Sequence, residues 1–360
     1  MNWLRLLYWL GPWCNQEKSP SRIERRQHVL QPEFELWLYQ HPKRQTGAIF
    51  VIPGLHPEGP EDYRLDRFCR VLANAGMLVG IPSLPTMKEV VMQEKLLDDC
   101  RVAFTSFLQH TGADKVGVLS ISAASIGAFA LGADPVLSQR ISCVHSFGGF
   151  SDWSAALLFA MSGEIEETGE RLEIDPLGLP VIFLNLVASF PSFLPKMREK
   201  LVPRWKEFVD CTWEKPEMKD PKIYQAIAAK LALDLDNTER IMFLKGCSIE
   251  SGGSTMVRNF LSVRNPIPWL EPEPLLRQIK VPVYLSHGRD DVVVPYSQIR
   301  ALQDWIPEPY RQGVFVTGFY HHTGVVGLRR LLQMIPSLPA EIVESLRMVL
   351  AIARTGGIVA

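Results

Sequence analysis

A chain of 360 residues with 38 basic and 39 acidic side chains, a net charge of -1 and 47% hydrophobic residues has the composition of an ordinary soluble protein. It lacks the basic excess that nucleic acid requires and the acidic tail that a cationic partner would read. Six cysteines (Cys14, Cys69, Cys100, Cys143, Cys211 and Cys247) are scattered without a CxxC pair, which argues against a disulfide framework or a zinc site and for reduced thiols in a cytoplasmic protein.

Residues 3–10 form an aromatic and apolar run around Arg5 that stops at Gly11-Pro12. It is too short to span a bilayer and no small-residue cleavage site follows, so a terminal helix packed on the domain is expected. Attachment to a membrane surface through residues 3–10 is the competing reading, because tryptophans favour headgroup depth. Residues 33–39 alternate polar and apolar like a half-exposed strand, and 48–52 are continuously apolar like a strand covered on both faces. The loop 53–60 is dense in proline and glycine. A helix is expected over 61–75, a strand over 77–81, a helix over 91–110, a strand over 115–120, an alanine-rich helix over 123–132 and a strand over 141–147.

Such alternation predicts the α/β class, a mostly parallel sheet with helices on both faces. Functional residues then collect beyond the carboxyl ends of the strands, here in loop 53–60, the turn at Ser122 and residues 148–153. Between 151 and 272 the pattern turns helical and proline-punctuated. Residues 177–195 carry no charged side chain, but Pro180, Asn185 and Pro191 interrupt them, so an apolar helical cap over a pocket fits better than a membrane span. A strand over 281–286, a polar turn over 287–295, a helix over 296–305, a strand over 313–319 and a helix over 328–353, broken near 336–339, complete the chain. The expected organisation is an N-terminal apolar segment (1–30), a core (31–150 and 273–360) and a helical cap insertion (151–272).

The strand at 115–120 ends in Ser120-Ile121-Ser122-Ala123-Ala124, and a small-residue helix starts at once. A turn that sharp lifts Ser122 clear of the sheet and aims the first helical amides at whatever lies above its hydroxyl. The frame is a variant of G-x-S-x-G, with serine and alanine at the glycine positions. A second frame, Ala123-Ala124-Ser125-Ile126-Gly127, offers Ser125 but runs the strand through residues of poor strand propensity. An acid follows at a later strand end, in His287-Gly288-Arg289-Asp290-Asp291-Val292-Val293-Val294-Pro295, and a histidine at the last, in Tyr320-His321-His322-Thr323-Gly324.

In this Ser…Asp…His order the chain resembles an α/β-hydrolase over roughly 33–150 and 275–325. The acid-bearing turn is the most specific match. The resemblance implies Ser122 as nucleophile, His322 as general base and Asp291 as the acid that orients it, with Ser125, His321 and Asp290 as alternatives. It also implies an oxyanion hole from the N–H of Ala123 and of Leu55, the latter beside Gly54. The lipase-type HGGG loop is replaced by Pro53-Gly54-Leu55-His56. The expected activity is hydrolysis of a small-molecule ester or related acyl substrate with a hydrophobic part, without cofactor or metal. The alternatives are a non-catalytic binding protein of the same fold and a membrane-surface lipid hydrolase. Paired His321 and His322 lack a carboxylate or cysteine at ligand spacing. His56 either lines the pocket or packs, His145 reads as a core histidine, His287 as structural, and Asp98 and Asp99 as a solvated face.

Overall fold

The computed structural model describes residues 2–11, 13–31, 34–165, 168–213, 215–262, 267–321, 324–325 and 338–359. Eight of its strands form one sheet: β1 (Glu24–Gln31), β2 (Phe34–Gln40), β3 (Gly47–Ile52), β4 (Met77–Ser83), β5 (Val116–Ile121), β6 (Ile141–Phe147), β9 (Val283–Gly288) and β10 (Arg311–Thr317). The two-residue pair β7 (Glu164–Ile165) and β8 (Glu170–Arg171) stands apart, as does the small hairpin β11 (Tyr320–His321) and β12 (Gly324–Val325). The order across the sheet is β1-β2-β4-β3-β5-β6-β9-β10. The β1–β2 and β2–β4 pairings are antiparallel and the rest parallel.

Parallel strands need crossover helices, and these cover both faces. Along β3, Ala48, Phe50 and Ile52 enter one buried cluster while Ile49 and Val51 enter the other, as the two-residue period of a strand requires. One face carries α1 (Trp3–Leu10), α2 (Tyr63–Asn74) and a C-terminal helix, α14 (Leu338–Thr355). The other carries α3 (Pro85–Lys88), α4 (Lys95–Thr111) and α5 (Ser125–Ala133). Helix α2 starts where Asp62 accepts the N–H groups of Arg64 and Leu65, and Gly76 at φ +100° turns the chain into β4.

Between β6 and β9 the chain leaves the main sheet. It forms α6 (Trp153–Ser162), α7 (Leu179–Leu186), α8 (Pro195–Thr212), α9 (Pro221–Leu231), α10 (Asn237–Gly246), α11 (Gly253–Leu261) and α12 (Glu273–Leu276), before α13 (Ile299–Trp305) returns to the sheet beside β9. The uncharged stretch 177–195 is the core of this insertion. Phe183 and Phe193 pack on the fully buried Trp205, 5.4 Å and 5.7 Å from its ring centre, and Phe190 stacks on Phe183. Asn185, buried among them, accepts the Met92 N–H and donates to the Val90 and Val181 carbonyls, which ties the insertion to the chain entering α4. Among the described residues no helix is long and apolar enough to cross a membrane.

The α/β architecture is the one the alternation of elements implied, with instructive local differences. Strand β1 was not anticipated, because Glu24–Gln31 shows neither polar–apolar alternation nor a continuous apolar run; it pairs antiparallel with β2. Asp99 is not on a solvated face. It is buried beside Lys95, 3.5 Å away, and burial raises its carboxyl above the usual range. The seam of α4 therefore includes a charge that hydrophobic periodicity does not register. Of the helix expected over 328–353, residues 328–337 lie outside the described residues.

Candidate active site

Strand β5 ends in extended backbone at Ile121, and Ser122 takes φ +56°, in the left-handed region. Few non-glycine residues are held there, because Cβ crowds the following carbonyl. The chain then closes one tight helical turn over Ser122–Ala124 and enters α5. The small side chains have steric reasons. A Cβ on Gly127 would lie 2.9 Å from the Cys100 sulfur, and Ser120 and Ala124 are fully buried at the two positions flanking the elbow. Ser122 is 9% exposed, whereas Ser125 is fully enclosed with helical dihedrals. The strained turn therefore falls on Ser122 and not on Ser125.

Loop 53–60 packs against this elbow. A Cβ on Gly54 would sit 3.2 Å from the Ile121 carbonyl oxygen and 3.4 Å from Ser122 Cβ, so glycine permits the approach. The His56 N–H donates to the Met87 carbonyl and pins the loop to α3. The Leu55 N–H, one residue earlier, enters none of the loop hydrogen bonds among the described residues. Ala123 opens its helical turn, where a backbone N–H has no intrahelical carbonyl to receive it. The segment bearing Leu55 thus packs on the turn that bears Ser122.

Asp291 lies just beyond the carboxyl end of β9 and is buried. Its Oδ1 accepts the N–H groups of Val293 at 2.8 Å and Val294 at 3.0 Å, which fixes the orientation of the carboxyl group. Its Oδ2 faces Gly148 beyond β6. The Cβ position on that glycine is 3.6 Å from Asp291 Oδ2 and 3.9 Å from both the Cα and N of Ser122. The acid and the elbow therefore approach each other across Gly148. Asp290 is buried on the same turn. His287 is fully buried, with Nδ1 3.0 Å from the Gly288 carbonyl and 4.0 Å from Asp291 Oδ2.

The backbone of His321 pairs with Gly324 in the hairpin that follows β10, next to the strand that carries the acid turn. His322 lies outside the described residues, as does the side chain of His321. Two braces of this rim escaped sequence reading. Glu341 on α14 accepts the Gly318 N–H at 2.7 Å, in the connection from β10 to the hairpin, and its other oxygen is 3.4 Å from the Arg289 guanidinium in the acid turn. Gln298 accepts the N–H groups of Ser151 and Asp152 and donates to the Asp152 carbonyl, fixing the loop after β6. Nothing in the sequence pattern marked the first, because the burial of Glu341 appears only in the fold.

His145 is fully buried with Nε2 2.6 Å from the Ser286 hydroxyl, and burial pushes its pKa down to about 3. It joins β6 to β9 as a neutral core residue. His56 stacks on Trp213 of the insertion and lies 3.5 Å from Asp62. His56, Glu58 and Asp62 form the one group of metal-ligand type among the described residues. Asp62 is already committed to capping α2 and to a forked contact with Arg64, so it is poorly suited to a cation. A cavity of about 1020 Å³ adjoins the acid turn, lined by Ala155, Phe159, Arg258, Arg289 and Tyr296, and Ser122 is not part of its wall. The geometry of the turn at Ser122, rather than this cavity, marks the candidate site.

No family profile matches the chain and no curated protein matches it. Solved structures do resemble it. Acylaminoacyl peptidase from Pyrococcus horikoshii aligns at 12% identity over 84% of this chain, with a TM-score of 0.47, and this chain spans only 38% of that protein's length. A bacterial membrane phospholipase A aligns at 14% identity over 91% of this chain and 87% of its own, with a TM-score of 0.42. The 2-hydroxy-6-oxo-6-phenylhexa-2,4-dienoate hydrolase of a Rhodococcus species aligns at 16% identity over 89% of this chain and 98% of its own, with a TM-score of 0.41. A common function does not follow from likeness at this level.

Proposed function

We propose that this chain, which has the α/β-hydrolase fold, is a serine hydrolase that cleaves a carboxylic ester or related acyl substrate through an acyl-enzyme on Ser122. The observation that carries the reading is the left-handed backbone at Ser122, with Gly54 of loop 53–60 packed on it; in this reading the N–H groups of Ala123 and Leu55 are the oxyanion donors. Strain of this kind persists where the surrounding structure enforces it, and it clusters at reacting residues.

In this reading Ser122 Oγ attacks the acyl carbonyl while its proton passes to the His322 imidazole. The carbonyl oxygen takes the negative charge and is held by the two N–H donors. Collapse of the adduct breaks the bond to the leaving alcohol, which takes the proton back from the imidazolium. Water then adds to the acyl-enzyme with His322 again as base, and the acid is released. Asp291, fixed by the Val293 and Val294 amides, holds the imidazole in the tautomer that accepts from serine.

A fluorophosphonate probe tests this directly. Labelling of the wild type that Ser122→Ala abolishes and Ser125→Ala leaves intact is expected. An unlabelled wild type that also fails to turn over p-nitrophenyl esters of short and long chain would sink the reading, leaving a non-catalytic binding protein of the same fold.

A further inference from the structure

Helix α1 is the element the active site does not explain. Its inner side is committed: Leu6 and Leu10 are buried against α2 and α14, and Arg67 of α2 donates to the Trp9 and Lys18 carbonyls. Its outer side remains apolar. Leu4 is 38% exposed, Tyr8 one turn later 60%, and Trp13 just past the helix end 61%. Residues four apart share a helix face, so Leu4 and Tyr8 extend one strip that Trp13 continues.

The indole of Trp13 is held in this position. Its Nε1 donates to the Tyr8 carbonyl at 3.0 Å, and a Cβ on Gly11 would fall 2.2 Å from ring atoms Cε2 and Cζ2. A glycine at 11 thus leaves room for a ring laid over the helix end with its face to solvent. Packing within the chain gives no reason for such an aromatic, since burial elsewhere would remove more apolar surface from water.

We propose that α1 and the turn after it are a docking surface for an anionic phospholipid bilayer. Tryptophan and tyrosine with one polar end suit headgroup depth, and a short amphipathic helix lies in that plane rather than crossing it. The charge agrees. In a chain of net charge -1, residues 2–31 carry Arg5, Lys18, Arg22, Arg25 and Arg26 against Glu17 and Glu24. Arg25 is committed to Asp66 and the Trp37 ring, and Arg26 to Glu24. Lys18 and Arg22 are exposed and form no ion pair among the described residues. The Arg67 contact sets the C-terminal end of α1 beside the first turns of α2, which begins at the exposed Tyr63 directly after the loop bearing Leu55. A bilayer against this strip therefore lies toward the end of α2 nearest the reacting serine.

The full chain is sedimented with sucrose-loaded vesicles of phosphatidylcholine, alone or with about one third phosphatidylglycerol. Wild type is expected to pellet with the anionic vesicles and to leave them at high salt. The Tyr8→Ser/Trp13→Ser variant is expected to lose partitioning about tenfold or more, and Lys18→Glu/Arg22→Glu to lose the preference for anionic lipid. Thermal midpoints within a few degrees of wild type show that the variants remain folded. A wild type left in the supernatant, or an aromatic variant that pellets equally, overturns the proposal. So does a vesicle-free dimer that the aromatic variant abolishes, because it assigns the strip to a second copy. None of these readouts depends on hydrolysis, so the serine chemistry and the lipid docking fail separately.

Discussion

Replacing Ser122 by glycine should stabilise the protein while ending its chemistry, and alanine at the same position should end the chemistry without that gain. Both substitutions remove the hydroxyl, so they differ only in Cβ. At φ +56° a Cβ is crowded by the backbone, at a cost of about 1–2 kcal/mol, and glycine relieves it. The looser unfolded chain of the glycine variant offsets roughly half of that, leaving it ahead of alanine by about 1 kcal/mol. With an unfolding entropy of about 2 cal/mol/K per residue, a chain of 360 residues converts this into roughly 1–2 °C in the melting midpoint. Differential scanning calorimetry of the two variants side by side resolves such a gap, and ester turnover of both should be at background. An alanine variant as stable as the glycine variant would mean that no backbone strain is held at this turn, and the elbow would lose its physical basis.

Asp291→Asn should cut kcat by about 10⁴, as loss of the tautomer-fixing acid does elsewhere, whereas Asp290→Asn should cost less than tenfold; equal losses would exchange the two roles. Gly54→Ala places a methyl 3.2 Å from the Ile121 carbonyl and 3.4 Å from Ser122 Cβ. It should push the Leu55 N–H out of line and lower kcat by about 10²–10³ with little change in melting midpoint. His145, held neutral with a pKa near 3, takes up its proton only when the chain unfolds once the pH falls below its ordinary value. Its contribution is therefore complete above about pH 6.5 and is lost toward pH 3, at up to about 1.4 kcal/mol per pH unit. Urea melts of wild type and His145→Gln between pH 7 and pH 4 should converge as the pH falls, and parallel curves would refute the assignment.

Much of this fold was legible in the linear pattern, for a physical reason. Strands β3 and β5 are buried on both faces, so apolar runs announced them, and β6 occupies residues 141–147 as expected. Strand β1 gave no such signal, because its residues neither alternate nor run continuously apolar, and it is placed by pairing with β2 and by contacts such as Arg25 over the Trp37 ring. The same division holds at the site. Ser122 and Asp291 stand next to abrupt local changes of pattern, a strand stopping at a serine and an acid before a valine run.

What the sequence by itself determined was the alternation of elements and the abrupt strand-to-helix change after residue 120, because each is set by residues adjacent in the chain. What only the tertiary structure decided was which serine bears the strained backbone, the approach of Asp291 to the elbow across Gly148, the Glu341 brace and the solvent-facing strip of α1. Each of these depends on contacts between segments tens or hundreds of residues apart, and periodicity along a chain carries no record of what folds against it.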